Sequence, residues 1–135
     1  MISIPDNADF DFIKAHIKKF ELDDRVLKKE EFLVLKKENE LFAFGRIRKH
    51  KGCDEICSIG VVEKDRRKGY ATLLVKELIK TATQPLYLVC IIPEFFTPLG
   101  FKVVIHYPAA LADKLNYCTN ELVVPEKYVV MQYYK

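Results

Sequence analysis

The sequence predicts a mixed α/β domain, and three observations carry that prediction. Apolar residues switch between helical spacing and short strand-like runs several times along the chain. Glycine and proline stand where the pattern switches, at Gly52, Pro85, Pro93, Gly100 and Pro108. No internal repeat, low-complexity tract or linker interrupts the succession. A length of 135 residues is that of one domain, and 50% hydrophobic residues suffice for a buried core.

Asn7 is placed to cap a first helix, with Asp9 and Asp11 set against its dipole. Phe10, Ile13, Ile17 and Phe20 share one face of it. A short second helix is expected around Asp23 to Lys28. Phe32 to Leu35 and Leu41 to Phe44 read as a β-hairpin about the charged turn Lys36 to Glu40. A third strand follows Gly52 and runs from Asp54 to Val62.

The clearest helix comes next, where Ala71, Leu74, Val75, Leu78, Ile79 and Ala82 form a continuous apolar stripe ending before Pro85. Leu86 to Ile92 is a buried strand by composition. Pro93 opens a short helix that Gly100 closes, and Phe101 to Ile105 returns as a strand. Pro108 opens a last helix with Ala110, Leu111 and Leu115 towards the core, and Tyr128 to Tyr134 is the final strand.

The bulk numbers exclude little. A net charge of +3 is too mild to argue for nucleic acid and equally suits a phosphorylated small molecule. Cys53, Cys57, Cys90 and Cys118 lack the spacing of a zinc or thioredoxin-type motif, so they read as reduced thiols and no metal is expected. The amino end lacks the flank and apolar stretch of a signal peptide, and the longest apolar run, Leu86 to Pro93, is too short to span a bilayer. The expectation is a cytoplasmic protein that engages neither membrane nor nucleic acid.

The informative stretch runs from Ile59 to Ala71. A buried strand ends, a charged turn follows, and a helix begins at Gly69. Amides of a helix's first turn, with the positive end of its dipole, attract anions. Gly69 and the small Ala71 let a phosphate approach, and Arg66, Arg67 and Lys68 add positive charge. Neither a P-loop nor a dinucleotide-binding glycine pattern is present. From charge and spacing alone, a solvated basic turn capped by a glycine remains the competing reading.

Arg66-x-x-Gly69-x-Ala71 resembles the Arg/Gln-x-x-Gly-x-Gly/Ala signature of the GNAT acetyltransferases. Ile59-x-Val61 stands where that family has Leu-x-Val, and Phe95 to Phe101 is similar to its Phe-Tyr-x-x-x-Gly-Phe. The resemblance extends from about residue 8 to 135 and implies one N-acetyltransferase domain over residues 1–135. It implies a mostly antiparallel central sheet flanked by helices, with a splayed strand pair forming the acyl-CoA cleft. The implied cosubstrate is acetyl-CoA. Its pantetheine arm would meet Ile59, Val61 and Val62, and its pyrophosphate the segment Arg66, Arg67, Lys68, Gly69, Tyr70, Ala71 and Thr72, with Phe96 also lining the coenzyme.

The implied reaction is direct attack of a neutral primary amine on the thioester. An alkyl amine with a pKa of roughly 10.4 must first lose a proton. Glu55 is the candidate general base, its alternative being an exposed glutamate at a strand start. A backbone N–H near Val61 or Val62 would stabilise the oxyanion. The family's frequent acid tyrosine is replaced by Phe96. The thiolate then leaves unaided, which is the favoured reading; Tyr107, Tyr117 or Cys90 substitutes; or the chain binds coenzyme with little catalysis.

Similarities from Gly100 to Tyr134 to the N-acetylglutamate-synthase-like branch favour a small amine or amino-acid acceptor over a protein amine. His50 and His106 read as surface residues outside the site, and His16 as half-buried. A basic nucleic-acid or protein module using Arg66 to Lys68 with Arg46, Arg48, Lys49 and Lys51 ranks last. The aromatic carboxyl end, with Tyr128, Tyr133 and Tyr134, is open to covering the core or pairing two subunits as a homodimer.

Overall fold

Hydrogen bonds between near neighbours in sequence set where the first helix begins. The structure, a computed structural model, describes residues 2–134. Among them lie strands β1 (Ile2–Ser3), β2 (Phe32–Lys37), β3 (Glu40–His50), β4 (Cys53–Val61), β5 (Leu86–Cys90), β6 (Phe101–Val103) and β7 (Val129–Tyr133). Four α-helices accompany them: α1 (Asn7–Lys19), α2 (Tyr70–Thr81), α3 (Pro93–Phe96) and α4 (Ala109–Glu121). The sheet order is β1-β2-β3-β4-β5-β7-β6, the mixed, mostly antiparallel α/β class that the sequence predicts. The chain divides into two compact units. One comprises the residues up to Arg48 with Ile56–Thr81, the other Lys49–Glu55 with the residues from Ala82 onward.

In the first unit, α1 is capped by Asp6 and not by Asn7. The Asp6 carboxylate accepts from the Asp9 amide at 2.8 Å, and Asp9 accepts from the Asp6 amide at 2.9 Å. This reciprocal box satisfies two donors at once, which Asn7 one residue later has no register to do. Asn7 instead accepts from Lys29 Nζ at 2.8 Å. The helix ends with Glu21 in the left-handed region, the Leu22 amide donating to Ile17 and the Glu21 amide to Lys18. Ile13 and Ile17 are fully buried with Phe32, Val34, Leu41 and Phe44, and Phe10 packs against that cluster.

The hairpin forms as predicted, with Glu38 and Asn39 both at positive φ, the conformation a two-residue turn needs to follow strand twist. Its second strand runs on to His50, well beyond Phe44.

No helix forms at Asp23 to Lys28. The carbonyls of Asp23, Arg25 and Val26 accept hydrogen bonds from the Arg46 guanidinium at 3.4, 3.0 and 3.1 Å. Helical pairing needs those same carbonyls for amides four residues on. Arg46 has no exposed surface, so it cannot join a polyanion-binding patch with Arg48, Lys49 and Lys51. Its Nε also donates to Ser58 Oγ at 3.1 Å, and Ser58 Oγ donates to the Asp23 carbonyl at 2.8 Å. Ser58 sits at φ +54 inside β4, a left-handed residue that interrupts the strand's regular pleat.

In the second unit, β4 pairs in parallel with β5 through Asp54 with Leu86 and Glu55 with Tyr87. β7 runs antiparallel to both β5 and β6. Cys53, Tyr87, Leu111 and Val130 form its core, with Ala110 and Leu115 packed against them. All four cysteines carry buried thiols. No helix among the described residues is long and apolar enough to cross a membrane.

Three substitutions test these assignments. Asp6→Ala should destabilise the fold by about 1 kcal/mol through loss of the cap, whereas Asn7→Ala should cost under about 0.5 kcal/mol. Gly60→Ala should cost about 1–3 kcal/mol, because an added Cβ would lie 2.5 Å from the Phe44 ring. Urea denaturation measures all three.

Candidate functional site

The first unit gathers the residues from Ile59 to Thr72. After the left-handed Ser58, β4 continues through Ile59 and Gly60 to Val61, and the Val62 amide donates to the Phe42 carbonyl at 2.9 Å. That bond commits the Val62 N–H, so an oxyanion donor in this segment would have to be another amide. A 3-10 turn at Glu63–Asp65 follows, stitched by the Asp65 amide to the Val62 carbonyl at 2.9 Å.

Arg66 to Gly69 then form an exposed loop with Arg67 at φ +65 and Gly69 at φ +82. The Gly69 carbonyl accepts the Leu73 amide at 3.1 Å, which makes Gly69 the residue flanking α2. The amides of Tyr70, Ala71 and Thr72 precede that first helical bond and have no partner within the helix. With Arg67 and Gly69 both left-handed, the loop bends tightly before the helix start, whose free N–H groups suit an anion. A Cβ built on Gly69 meets nothing within 4 Å, so the approach to these amides is open.

The basic residues around this loop are not equivalent. Arg66 Nε donates to the Val61 carbonyl at 2.9 Å and its guanidinium lies 4.9 Å from the Phe20 ring centroid, so it braces the loop as well as charging it. Lys68 Nζ is 3.4 Å from Asp65 and Lys64 is 3.1 Å from Glu40. Lys37, from the end of β2, holds its ammonium 4.7 Å over Tyr70 and 5.0 Å over Phe42. Its hydrogen bond with Tyr70 raises its pKa against the opposing pull of burial, so it stays charged. Nothing in the local sequence marked Lys37, because only the hairpin register brings it beside the first residue of α2.

Glu55 and Phe96 belong to the second unit. Glu55 is not an exposed glutamate at a strand start; its side chain has 0% exposure. His50 Nε2 lies 2.9 Å from Oε1, and Lys114 Nζ lies 3.1 Å from Oε2. Burial would raise the Glu55 pKa, but the His50 hydrogen bond and the Lys114 charge outweigh it and hold the carboxyl below the ordinary value of 4.5. Beside it, burial is likewise outweighed at Asp54 by Lys49, Gln84 and the Thr83 amide, and that pKa is lowered too. Phe96 packs edge-on against Phe95 and Phe101. Burial pushes the Cys90 thiol up to about 11, with Met131 sulfur 3.6 Å away.

His50, read from the sequence as a surface residue outside the site, and Lys114, which the sequence did not single out, both contact Glu55. The signal for Lys114 was present: it shares the inward face of α4 with Leu111 and Cys118, three residues before and four after. A charged side chain on an apolar stripe needs a buried partner. His50 and Glu55 are drawn together across the Lys51–Gly52 turn, where Gly52 adopts φ +86.

The cluster has a stability signature. A carboxylate with a depressed native pKa stabilises the fold above its unfolded pKa and loses that contribution as pH falls through the native value. Glu55 and Asp54 should therefore give a stability plateau above about pH 4.5 and a decline below it, read from melting temperature against pH. Lys114→Met should destabilise by about 3–5 kcal/mol by leaving the buried Glu55 charge without its cationic partner, and the double variant Glu55→Gln/Lys114→Met should recover most of that loss.

Comparison with known proteins agrees with this fold. The model of the acetyltransferase (GNAT) family matches residues 4–98. N-acetylglutamate synthase from Neisseria gonorrhoeae, solved with coenzyme A and N-acetyl-glutamate, superposes with a TM-score of 0.77 at 16% identity. That match covers 100% of this chain and 35% of the synthase, so the chain spans about a third of the synthase's length. Rv2747 from Mycobacterium tuberculosis, in complex with CoA and NLQ, gives 0.77 at 15% identity over 100% of this chain and 99% of that one. The ribosomal-protein-S18-alanine N-acetyltransferase of Escherichia coli gives 0.65 at 16% identity, covering 98% and 92%. These likenesses establish the fold, and a search of curated proteins finds no match. With its family model spanning well over half its length, the chain belongs to the acetyltransferase (GNAT) family.

Proposed function

We propose that the chain transfers the acetyl group of acetyl-CoA to the primary amine of a small molecule or amino acid. The observation that carries this reading is the open run of amides from Arg67 to Thr72, flanked by Arg66 and Lys68. A diphosphate placed there would take several charge-assisted hydrogen bonds, each contributing on the order of 1.5–3 kcal/mol. Ile59 and Val61 supply main chain for the pantetheine arm in this reading, although Arg66 already engages the Val61 carbonyl. The small-acceptor assignment is supported by the N-acetyl-glutamate in the Neisseria synthase. A protein amine is the competing acceptor, supported by the ribosomal-protein enzyme of the same fold.

Glu55 is assigned to the proton-accepting end of the reaction. Its depressed pKa leaves it ionised at neutral pH, as a base must be before it acts. Phe96 cannot donate a proton, so the CoA thiolate, with an ordinary thiol pKa of roughly 8.5, leaves unaided.

The test is acetyl-CoA binding by thermal shift, followed by release of free CoA across a panel of amino acids, polyamines and amino-terminal peptides. Gly69→Ala and Gly69→Glu share the cost of a side chain at φ +82, about 1–2 kcal/mol. Only the glutamate sets a negative charge at the diphosphate. Gly69→Ala should retain measurable coenzyme binding and Gly69→Glu should abolish it. Equal binding by the two variants would contradict the loop assignment.

A further inference from the structure

The Glu55 carboxylate is placed poorly for meeting a substrate itself. It has 0% side-chain exposure, with Oε1 on His50 and Oε2 on Lys114, whose own side chain is 5% exposed. His50 is the member of this cluster with the most exposed side chain, at 18%.

We propose that His50 takes the proton lost by the acceptor amine, and that Glu55 is its positioning residue. The geometry fixes the chemistry. An ionised carboxylate only accepts hydrogen bonds, so the 2.9 Å contact requires the imidazole proton on Nε2. A neutral ring then carries its basic lone pair on Nδ1, on the side turned away from Glu55. Protonation at Nδ1 creates an imidazolium whose charge the Glu55 carboxylate faces directly. Lys114 Nζ lies 3.1 Å from the second carboxylate oxygen and supplies the charge that keeps Glu55 ionised. Near the cluster, Lys49 Nζ bonds Asp54 at 2.7 Å, and the neutral Gln84 side chain and Thr83 amide also bond Asp54. Gln84 Nε2 further donates to the His50 carbonyl at 3.0 Å, which anchors the backbone that carries the ring.

The step balances without another reactant. The amine nitrogen bonds to the thioester carbonyl carbon and its proton passes to Nδ1. The C–S bond breaks with its electron pair leaving on sulfur, and the imidazolium returns its proton to the thiolate directly or through water. The proposal rests on Glu55 belonging to the proton-accepting end, and the experiment separates the two.

Two measurements test it. In the wild-type protein, 15N NMR should show neutral His50 as the Nε2–H tautomer, and an Nδ1–H tautomer would overturn the proposal. In the CoA-release assay, with the fastest acceptor of the panel, His50→Ala should lower kcat by at least about a hundredfold with KM for acetyl-CoA unchanged. Added imidazole should restore turnover, which a purely structural defect would not allow. His50→Gln keeps a donor for Glu55 but has no basic nitrogen, so it should melt near wild type and remain inactive.

Full turnover by His50→Gln overturns the relay. If the double variant Glu55→Gln/Lys114→Met is nonetheless inactive and folded, Glu55 acts directly and its assignment stands. If that double variant is also fully active, the assignment of Glu55 falls as well.

Discussion

A guanidinium with no exposed surface cannot go unpaired, and that constraint at Arg46 shapes the first unit. Its donors reach Ser58 on β4 and three carbonyls of the 23–26 segment, with Glu31 at 3.5 Å and the Phe32 ring at 5.7 Å. Two residues bonded to it adopt left-handed backbone that they do not favour, Val26 at φ +48 and Ser58 at φ +54. Such a conformation costs roughly 1–2 kcal/mol per residue, and each hydrogen bond to a charged group returns about 1.5–3 kcal/mol. The left-handed turn in β4 is therefore sustained by a buried cation. It sets the direction in which Ile59 to Val62 enter the loop.

From there the loop is positioned by short-range bonds that use few side chains. Val62 is tied to Phe42, Asp65 to Val62, and Arg66 to Val61. What remains open after these bonds is the main chain from Arg67 to the first turn of α2. The second unit works oppositely. Its cluster depends on three particular side chains, His50, Glu55 and Lys114, joined out of water by a hydrogen bond and an ion pair to one carboxylate.

Periodicity made most of the fold legible before the structure. The α2 stripe, the hairpin and the Pro93 and Gly100 boundaries stand where apolar spacing and turn residues place them. The errors share a cause, competition from hydrogen bonds that composition does not reveal. Asp6 displaces Asn7 because its partner Asp9 lies at the right separation. The expected helix at Asp23 to Lys28 is lost because a distant arginine takes its carbonyls. β1 has only two residues and offered no pattern. The loop proposed for the coenzyme can be read from sequence because its residues are consecutive, whereas His50 and Lys114 meet Glu55 only after folding.

The central claim concerns where an anion meets the main chain, and amide chemical shifts report that directly. Titration of 15N-labelled protein with acetyl-CoA should move the N–H resonances from Arg67 to Thr72 most strongly and saturably. Desulfo-CoA, which keeps the diphosphate, should move the same resonances. Shifts centred elsewhere, with these six amides unmoved at saturation, would contradict the account.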